Sequence, residues 1–194
     1  MKFAAALALG VVSANEAIFT EAPMSNVFDM NNYLSQGDAN GCMTDHDLIQ
    51  QAEGYRSCPY TDTMGHLTIC WGYNLDNSNA RAEVKAAGGN YDDMRAGKCT
   101  TKSVCENLFT KYLNYSRSDA KNIFGTLSCK WAQAVATDMT YNLGPGGMAS
   151  FTTFNSLMKQ GRWADAAADG KGTAWCRQVG NRCTRNMGQL TSCC

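Results

Sequence analysis

The sequence predicts an α+β fold in which a small β-hairpin region is followed by a larger helical mass. The segment Cys58–Tyr73 places aromatic and β-branched residues on both sides of a turn-rich centre, which is typical of a hairpin. One helical pattern precedes this segment and several follow it, with apolar residues recurring three and four positions apart. The chain shows no internal repeat, and its length suits one domain.

The first fourteen residues have the pattern of a secretory signal peptide. Ala4 to Val12 carry no charge, and Val12-Ser13-Ala14 has the small-x-small pattern of a cleavage site. This apolar run is far shorter than the roughly 20 residues that span a bilayer. We therefore predict a signal peptide over 1–14 and a protein that is extracellular or delivered to a digestive or lysosomal compartment, with no membrane partner.

Residues 15–41 mix Asn, Ser, Gly and single aromatics without a sustained period, which indicates a linker or pro-segment. A helix is predicted to begin after Thr44, whose hydroxyl can cap the amide of Asp47. Gly54 can end this helix in a left-handed conformation, so that Glu53 projects from its last turn. We place the folded domain over 42–194.

The later elements are predicted in the same way. Residues 74–97 are rich in Asn, Asp and Gly and indicate an irregular connection with one short helix. Thr101 is suited to cap one long helix, or two joined ones, that extends to Phe124. Further helices are predicted over 131–143, which ends at a Gly-Pro-Gly-Gly sequence, and over 151–158, 163–168 and 183–189.

Charge and cysteine content exclude some functions. The chain has 17 basic and 17 acidic residues, and removal of a signal peptide that contains only Lys2 leaves a net charge of −1. Nucleic acid is therefore not an expected partner. The ten cysteines form no C-x-x-C pair, and His46 and His66 lack ligand-like spacing, so disulfides are favoured over a zinc site and we expect no cofactor. We predict that the hairpin pairs Cys58 with Cys70, and we leave the other pairings open.

Two carboxylates nine residues apart are the candidate catalytic pair. Glu53 ends a helix and Asp62 enters the hairpin turn, so the two can face each other across a groove. Glycoside hydrolysis needs one acid that protonates the leaving oxygen and one carboxylate that activates water or stabilises charge. Spacing alone is a weak signal, because most carboxylates are solvated surface groups.

The motifs around this pair are more specific. They are Glu53-Gly54-Tyr55-Arg56, Tyr60-Thr61-Asp62-Thr63-Met64-Gly65, and Leu67-Thr68-Ile69 with Gly72. Together they resemble the phage-type lysozymes of glycoside hydrolase family 24, whose motif runs E-G, R, Y-x-D-x-x-G and T-I-G-x-G. The resemblance extends from Thr44 to Leu190. It implies a lysozyme-like fold with a small β-hairpin lobe, a larger helical lobe and a cleft between them.

The resemblance also implies roles for single residues. Glu53 is the expected general acid, Asp62 the general base or charge stabiliser, and Thr68 the residue that holds the attacking water. Asn142 is expected to line the cleft, and Arg182 to lie beside Glu53. An adjacent guanidinium would favour ionised Glu53, whereas burial and the helix end would disfavour it; the sequence leaves this balance open.

The predicted function is that of a monomeric secreted muramidase, or lysozyme, that acts on peptidoglycan glycan strands by inverting hydrolysis on the acid side of neutrality. Two alternatives stay open: a protein that binds cell-wall glycan without cutting it, and a chitin or chitosan hydrolase on the same fold. Two departures from the family text stand out, namely Cys70 in place of a glycine and Tyr73 in place of a frequent histidine. For Tyr60 and Trp71 packing is favoured over sugar binding.

Overall fold

The computed structural model describes residues 41–62 and 65–194. The strands are β1 (Arg56–Thr61), β2 (Leu67–Cys70) and β3 (Tyr73–Asn74). Helix α1 (Asp45–Glu53) precedes them. The helices that follow are α2 (Ala80–Ala86), α3 (Tyr91–Arg95), α4 (Lys102–Phe124), α5 (Lys130–Ala149), α6 (Thr152–Lys159), α7 (Trp163–Gly172), α8 (Ala174–Val179) and α9 (Asn181–Ser192). The predicted signal peptide and nearly all of the predicted linker lie outside the described residues.

The strands form one antiparallel sheet in the order β1-β2-β3. β1 and β2 make the predicted hairpin, with Tyr60 opposite Thr68, while Tyr73 belongs to the third strand. The centre of the turn, Thr63 and Met64, is outside the described residues. The α+β prediction is confirmed: a small sheet precedes a larger set of helices.

Helix boundaries follow the local sequence signals closely. The hydroxyl of Thr44 accepts from the Asp47 amide, and Gly54 ends α1 with φ 71°. Thr101 caps α4, which is one continuous helix. The helix predicted to end at residue 143 instead continues to Ala149, with a kink at Gly144 (φ 69°, ψ 165°) directly before Pro145, because the chain resumes helical geometry after that single residue.

Two other predictions about helices were wrong. Residues 74–97 contain two short helices, α2 and α3, where one was expected, because Asn90 caps a second start by accepting from the amides of Asp92 and Asp93. α8 was not predicted at all. Thr173 caps it by accepting from the Cys176 amide, and its six residues are too few to show a helical period.

Two hydrophobic cores divide the molecule into lobes. The sheet lobe packs Ile69 and Leu75 against the first half of α4, and the helical lobe packs α5, α6, α7 and α9 around Met139 and Phe154. α1 contributes to both, since Leu48 lies in the helical core and Ile49 in the sheet core. α1 and α4 therefore connect the lobes. In the described ranges, no helix is long and apolar enough to cross a bilayer.

All ten cysteines form disulfides. The prediction of a Cys58–Cys70 bond was wrong, because a β-bulge in β1 places Cys70 opposite Arg56. Cys70 instead reaches Cys105 at the start of α4, and Cys58 reaches Cys99. The remaining bonds, all in the helical lobe, are Cys42–Cys193, Cys129–Cys194 and Cys176–Cys183.

Candidate active site

Glu53 is the last residue of α1, as predicted, and its side chain keeps 25% of its surface exposed. Arg182, near the start of α9, donates from Nη1 to Glu53 Oε1 at 2.8 Å. The predicted neighbourhood of these two residues is therefore present. Because Oε1 is bound by the Arg182 guanidinium, Oε2 is the carboxylate oxygen that this guanidinium leaves open to other groups.

Glu53 Oε2 faces the backbone of Gly72. A Cβ built at Gly72 would stand 3.5 Å from this oxygen, and Gly72 has φ 80°. Gly72 also lines a cavity of about 290 Å³ that lies between the sheet and the helices α4 and α5. Its walls are formed by Cys70, Trp71, Gly72, Tyr73, Asn74, Asn77, Leu108, Phe109, Tyr112 and Tyr141. The second carboxylate oxygen of Glu53 thus lies beside one wall residue of this cavity, while Glu53 itself is not among the residues that line it.

Asp62 follows β1 and is fixed by the hairpin. Its Oδ1 accepts from the amide of His66 at 2.9 Å, and its own amide donates to the carbonyl of His66 at 2.9 Å. Thr68, on β2, is 3% exposed. Its hydroxyl lies 3.4 Å from Asp62 Oδ2 and 3.2 Å from the His66 carbonyl oxygen. The hairpin therefore holds the Asp62 carboxylate and the Thr68 hydroxyl side by side.

Tyr60 lies near both candidate carboxylates. Burial raises the pKa of Tyr60, Arg56 opposes that rise, and the negative charges of Glu53 and Asp62 add to it. The Arg56 guanidinium stacks 4.3 Å from the centre of the Tyr60 ring. Tyr60 is therefore close enough to Glu53 at the end of α1 and to Asp62 in the hairpin for both charges to act on it.

Trp71 is a packing residue, as expected. It is 5% exposed, and its ring lies between the rings of Tyr55 and Phe109 at centroid distances of 4.7 Å and 5.6 Å. Its edge still contributes to the cavity wall. Trp71 therefore packs in the core and also lines the cavity.

Asn142 is placed on α5 with its Oδ1 accepting from Trp175 Nε1 at 2.7 Å. This bond orients the Asn142 side chain, and its side-chain carbonyl oxygen is used to bind Trp175 on α8. The amides that line the cavity described above are those of Asn74 and Asn77. Whether Asn142 contacts a substrate stays a prediction.

The phage lysozyme family model matches residues 50–188, which include Glu53, Asp62, Thr68, Asn142 and Arg182. The chain belongs to the phage lysozyme family. It is therefore a lysozyme, a glycoside hydrolase of the muramidase type that acts on the bacterial cell wall.

Individual relatives agree with the family assignment. Probable T4-type lysozymes 2 and 1 of Dictyostelium discoideum are each 25% identical to this lysozyme over 151 residues, covering 72% of this chain and 88% of the relative. The pre-baseplate central spike protein of Enterobacteria phage T4 is 27% identical over 165 residues, covering 76% of this chain and 28% of that protein.

Sequence reasoning missed two groups of this lysozyme, namely two aromatic walls of the cavity and a buried partner of Arg182. The aromatic walls Tyr112 and Tyr141 come from α4 and α5, which only the tertiary structure brings to the sheet. Burial and the charge of Glu53 raise the pKa of Tyr141, so its hydroxyl stays protonated. The second missed group is Asp138, which contacts Arg182. A single acidic residue within a helix that is otherwise mostly apolar or uncharged was the signal that could have identified it.

Proposed function

We propose that this lysozyme is a secreted muramidase that hydrolyses the β-1,4 bond between N-acetylmuramic acid and N-acetylglucosamine in single glycan strands, by inverting displacement. One observation carries the proposal: Glu53 has one oxygen bound by Arg182 and the other directed at the cleft edge beside Gly72. A group in this arrangement can hold a proton on the cleft side only.

Glu53 acts as the general acid. Arg182 offers only N–H donors, so Oε1 must accept and the transferable proton belongs on Oε2. A glycosidic oxygen bound in the cleft next to Gly72 would receive this proton as its bond to the anomeric carbon breaks. The same geometry restricts the orientation of the carboxyl group, which supports transfer along one direction.

Asp62 and Thr68 hold the water on the other side of the sugar. A water molecule within hydrogen-bond reach of both Asp62 Oδ2 and Thr68 Oγ1, which lie 3.4 Å apart, would have one acceptor for its proton and one group that orients it. Inversion requires carboxyl groups roughly 6.5–9.5 Å apart, so that water fits, against about 5–5.5 Å for a covalent intermediate. The assignment of inversion follows the family resemblance.

Secretion is supported by two features. All ten cysteines pair in disulfides, which persist in oxidising compartments. Residues 1–14 have the pattern of a signal peptide, with a linker or pro-segment over 15–41 and the catalytic domain over 42–194. The proposed enzyme is a monomer. It is active on the acid side of neutrality, because Glu53 must be protonated while Asp62 is ionised.

One pair of assays tests the function against its alternatives. Release of reducing ends from peptidoglycan and from chitin is measured side by side for the wild type, E53Q and the control D165N, which alters an exposed carboxylate on α7. We expect wild type and D165N to cut peptidoglycan, and E53Q to bind it with turnover lost. Cutting of chitin alone would favour the chitinase alternative, and binding without any cutting would favour the recognition protein.

The stereochemistry is tested on fresh product. NMR recorded before mutarotation should show the α anomer from a β-linked substrate. Initial β product, or a glycosyl adduct trapped on Asp62, would reject inversion. D62C is expected to keep some activity, because a thiolate can still orient water.

A further inference from the structure

Asp138 is a buried charge in the middle of α5. It is 0% exposed, and its neighbours along the helix, Thr137 and Met139, are equally buried. A buried carboxylate is costly unless it is paired and hydrogen-bonded. Its complete burial therefore calls for a physical reason.

The hydrogen bonds to the carboxylate oxygens of Asp138 come from N–H donors. Oδ2 accepts from Arg182 Nε at 3.0 Å and from Asn186 Nδ2 at 2.5 Å, and Oδ1 accepts from Arg182 Nη2 at 3.0 Å. The backbone carbonyl of Asp138 accepts a further bond from Arg182 Nη2 at 3.3 Å. Each partner is an N–H donor, so both carboxylate oxygens act as acceptors, which the charged form does best.

Arg182 is thus shared unequally between two carboxylates. It makes three hydrogen bonds to Asp138 and one to Glu53. Burial disfavours the charged form of Arg182, but the charges of Asp138 and Glu53 outweigh burial and raise its pKa. The side-on pair of Arg182 and Asp138 presents Glu53 with a near-neutral dipole and not with a full positive charge.

This arrangement bears on the acid chemistry of Glu53. An uncompensated guanidinium at 2.8 Å would strongly favour the ionised carboxylate. A general acid must instead hold a proton at the pH of reaction. We propose that Asp138 is a positioning residue that compensates the charge of Arg182, so that Arg182 orients Glu53 without removing its ability to carry a proton. This inference rests on the proposed role of Glu53 as the acid.

Charged and titratable groups from three elements surround Glu53, Arg182 and Tyr60. Asp138 and Tyr141 come from α5, Arg182 and Arg185 from α9, and the hairpin contributes Arg56, Tyr60 and Asp62. The Arg185 guanidinium donates instead to Gln51 Oε1 and the Leu48 carbonyl oxygen. The Asp138 carboxylate binds Nε and Nη2 of Arg182, whereas Glu53 binds Nη1.

The test compares pH profiles of kcat/KM on peptidoglycan for the wild type, D138N and the control N186A. D138N removes the compensating charge at nearly constant shape, so Glu53 should lose its proton at lower pH. The alkaline limb of the kcat/KM profile should then move to lower pH by about one unit, which is a roughly tenfold loss of activity at a given pH on that limb. N186A removes a hydrogen bond to Asp138 and keeps its charge. It should lower stability while the limb stays in place. A D138N limb that coincides with the wild type would overturn the proposal.

Two further measurements separate the possible failures. If E53Q retains full turnover, the assignment of the acid fails; if E53Q is inactive and D138N leaves the limb unmoved, only the role of Asp138 fails. Should D138N not fold, carbon-13 NMR of the wild-type side-chain carboxyl groups decides instead. Asp138 should keep the chemical shift of an ionised carboxylate throughout the active pH range, and a protonated Asp138 would overturn the proposal.

Discussion

Arg182 Nη1 donates to Glu53 Oε1 at 2.8 Å, and this bond joins the start of α9 to the end of α1 across 129 positions of the chain. Because the same guanidinium binds Asp138 on α5, three helices meet at the candidate acid. The orientation of Glu53 therefore depends on packing in the helical lobe. The other proposed catalytic groups, Asp62 and Thr68, depend on the hairpin.

R182Q should lower the free energy of unfolding at pH 7 by about 3–5 kcal/mol, because Asp138 is left as an uncompensated buried charge. The control is R177Q, whose guanidinium is exposed and bonds only to the Gly172 carbonyl oxygen among the contacts described. It should change stability by less than about 0.5 kcal/mol. Urea denaturation measures both. R182Q/D138N should recover part of the loss, and a single R182Q variant as stable as the wild type would contradict the pairing.

The hydrogen bonds of Glu83 lead us to expect that the free energy of unfolding falls at acid pH. Burial alone would raise the pKa of Glu83, but hydrogen bonds from Tyr73, Lys111 and Tyr112 outweigh it and lower that pKa. A lowered pKa means that the stabilisation is complete above the ordinary carboxyl pKa of about 4.3 and is lost as the pH falls through the folded-state value.

The matched variant is E83Q, which should be less stable than the wild type at pH 7 by about 1–3 kcal/mol, because a charge-assisted network is lost. The difference should shrink in denaturation curves recorded below about pH 4. D165N, in an exposed pair with Arg162, should show no such pH-dependent difference. A constant gap between E83Q and the wild type down to pH 2 would rule out this role of Glu83.

Cys70 is the one residue other than glycine with positive φ in the described ranges, at 63°. Removing its disulfide to Cys105, which closes a loop of 35 residues, should cost about 4 kcal/mol. Glycine adopts such a backbone without strain. C70G/C105A should therefore be more stable than C70A/C105A by about 1 kcal/mol in thermal unfolding. Equal stability of the two double variants would show that the backbone conformation carries no cost.

Thr68 offers a matched pair of substitutions. T68S keeps the hydroxyl beside Asp62, while T68V keeps the shape of this buried side chain and removes the hydroxyl. If Thr68 orients the attacking water, T68V should lower kcat on peptidoglycan by a factor of about 100, in the range of a lost positioning group. T68S should remain within about tenfold of the wild type. Similar kcat values for both variants, with folded protein verified by circular dichroism, would remove Thr68 from the mechanism.

The sequence by itself determined the features that depend on neighbouring residues. Thr44 and Gly54 bound α1 because a cap and a positive φ are local requirements, and this placed Glu53 at the helix end. The aromatic and β-branched residues on both sides of a turn-rich centre determined the hairpin, and the hairpin places Asp62 next to Thr68. The family motifs follow the same local order, which is why they could be recognised without a structure.

Only the tertiary structure decided which distant groups meet. Cys70 could not be paired from spacing, because a bulge in β1 shifts the strand register and the start of α4 lies nearby. The aromatic cleft walls Tyr112 and Tyr141 depend on how α4 and α5 pack on the sheet. Asp138 gains its significance from Arg182, 44 positions later. Burial and the pairing of charges are properties of the packed lobes, so no local pattern in the sequence can specify them.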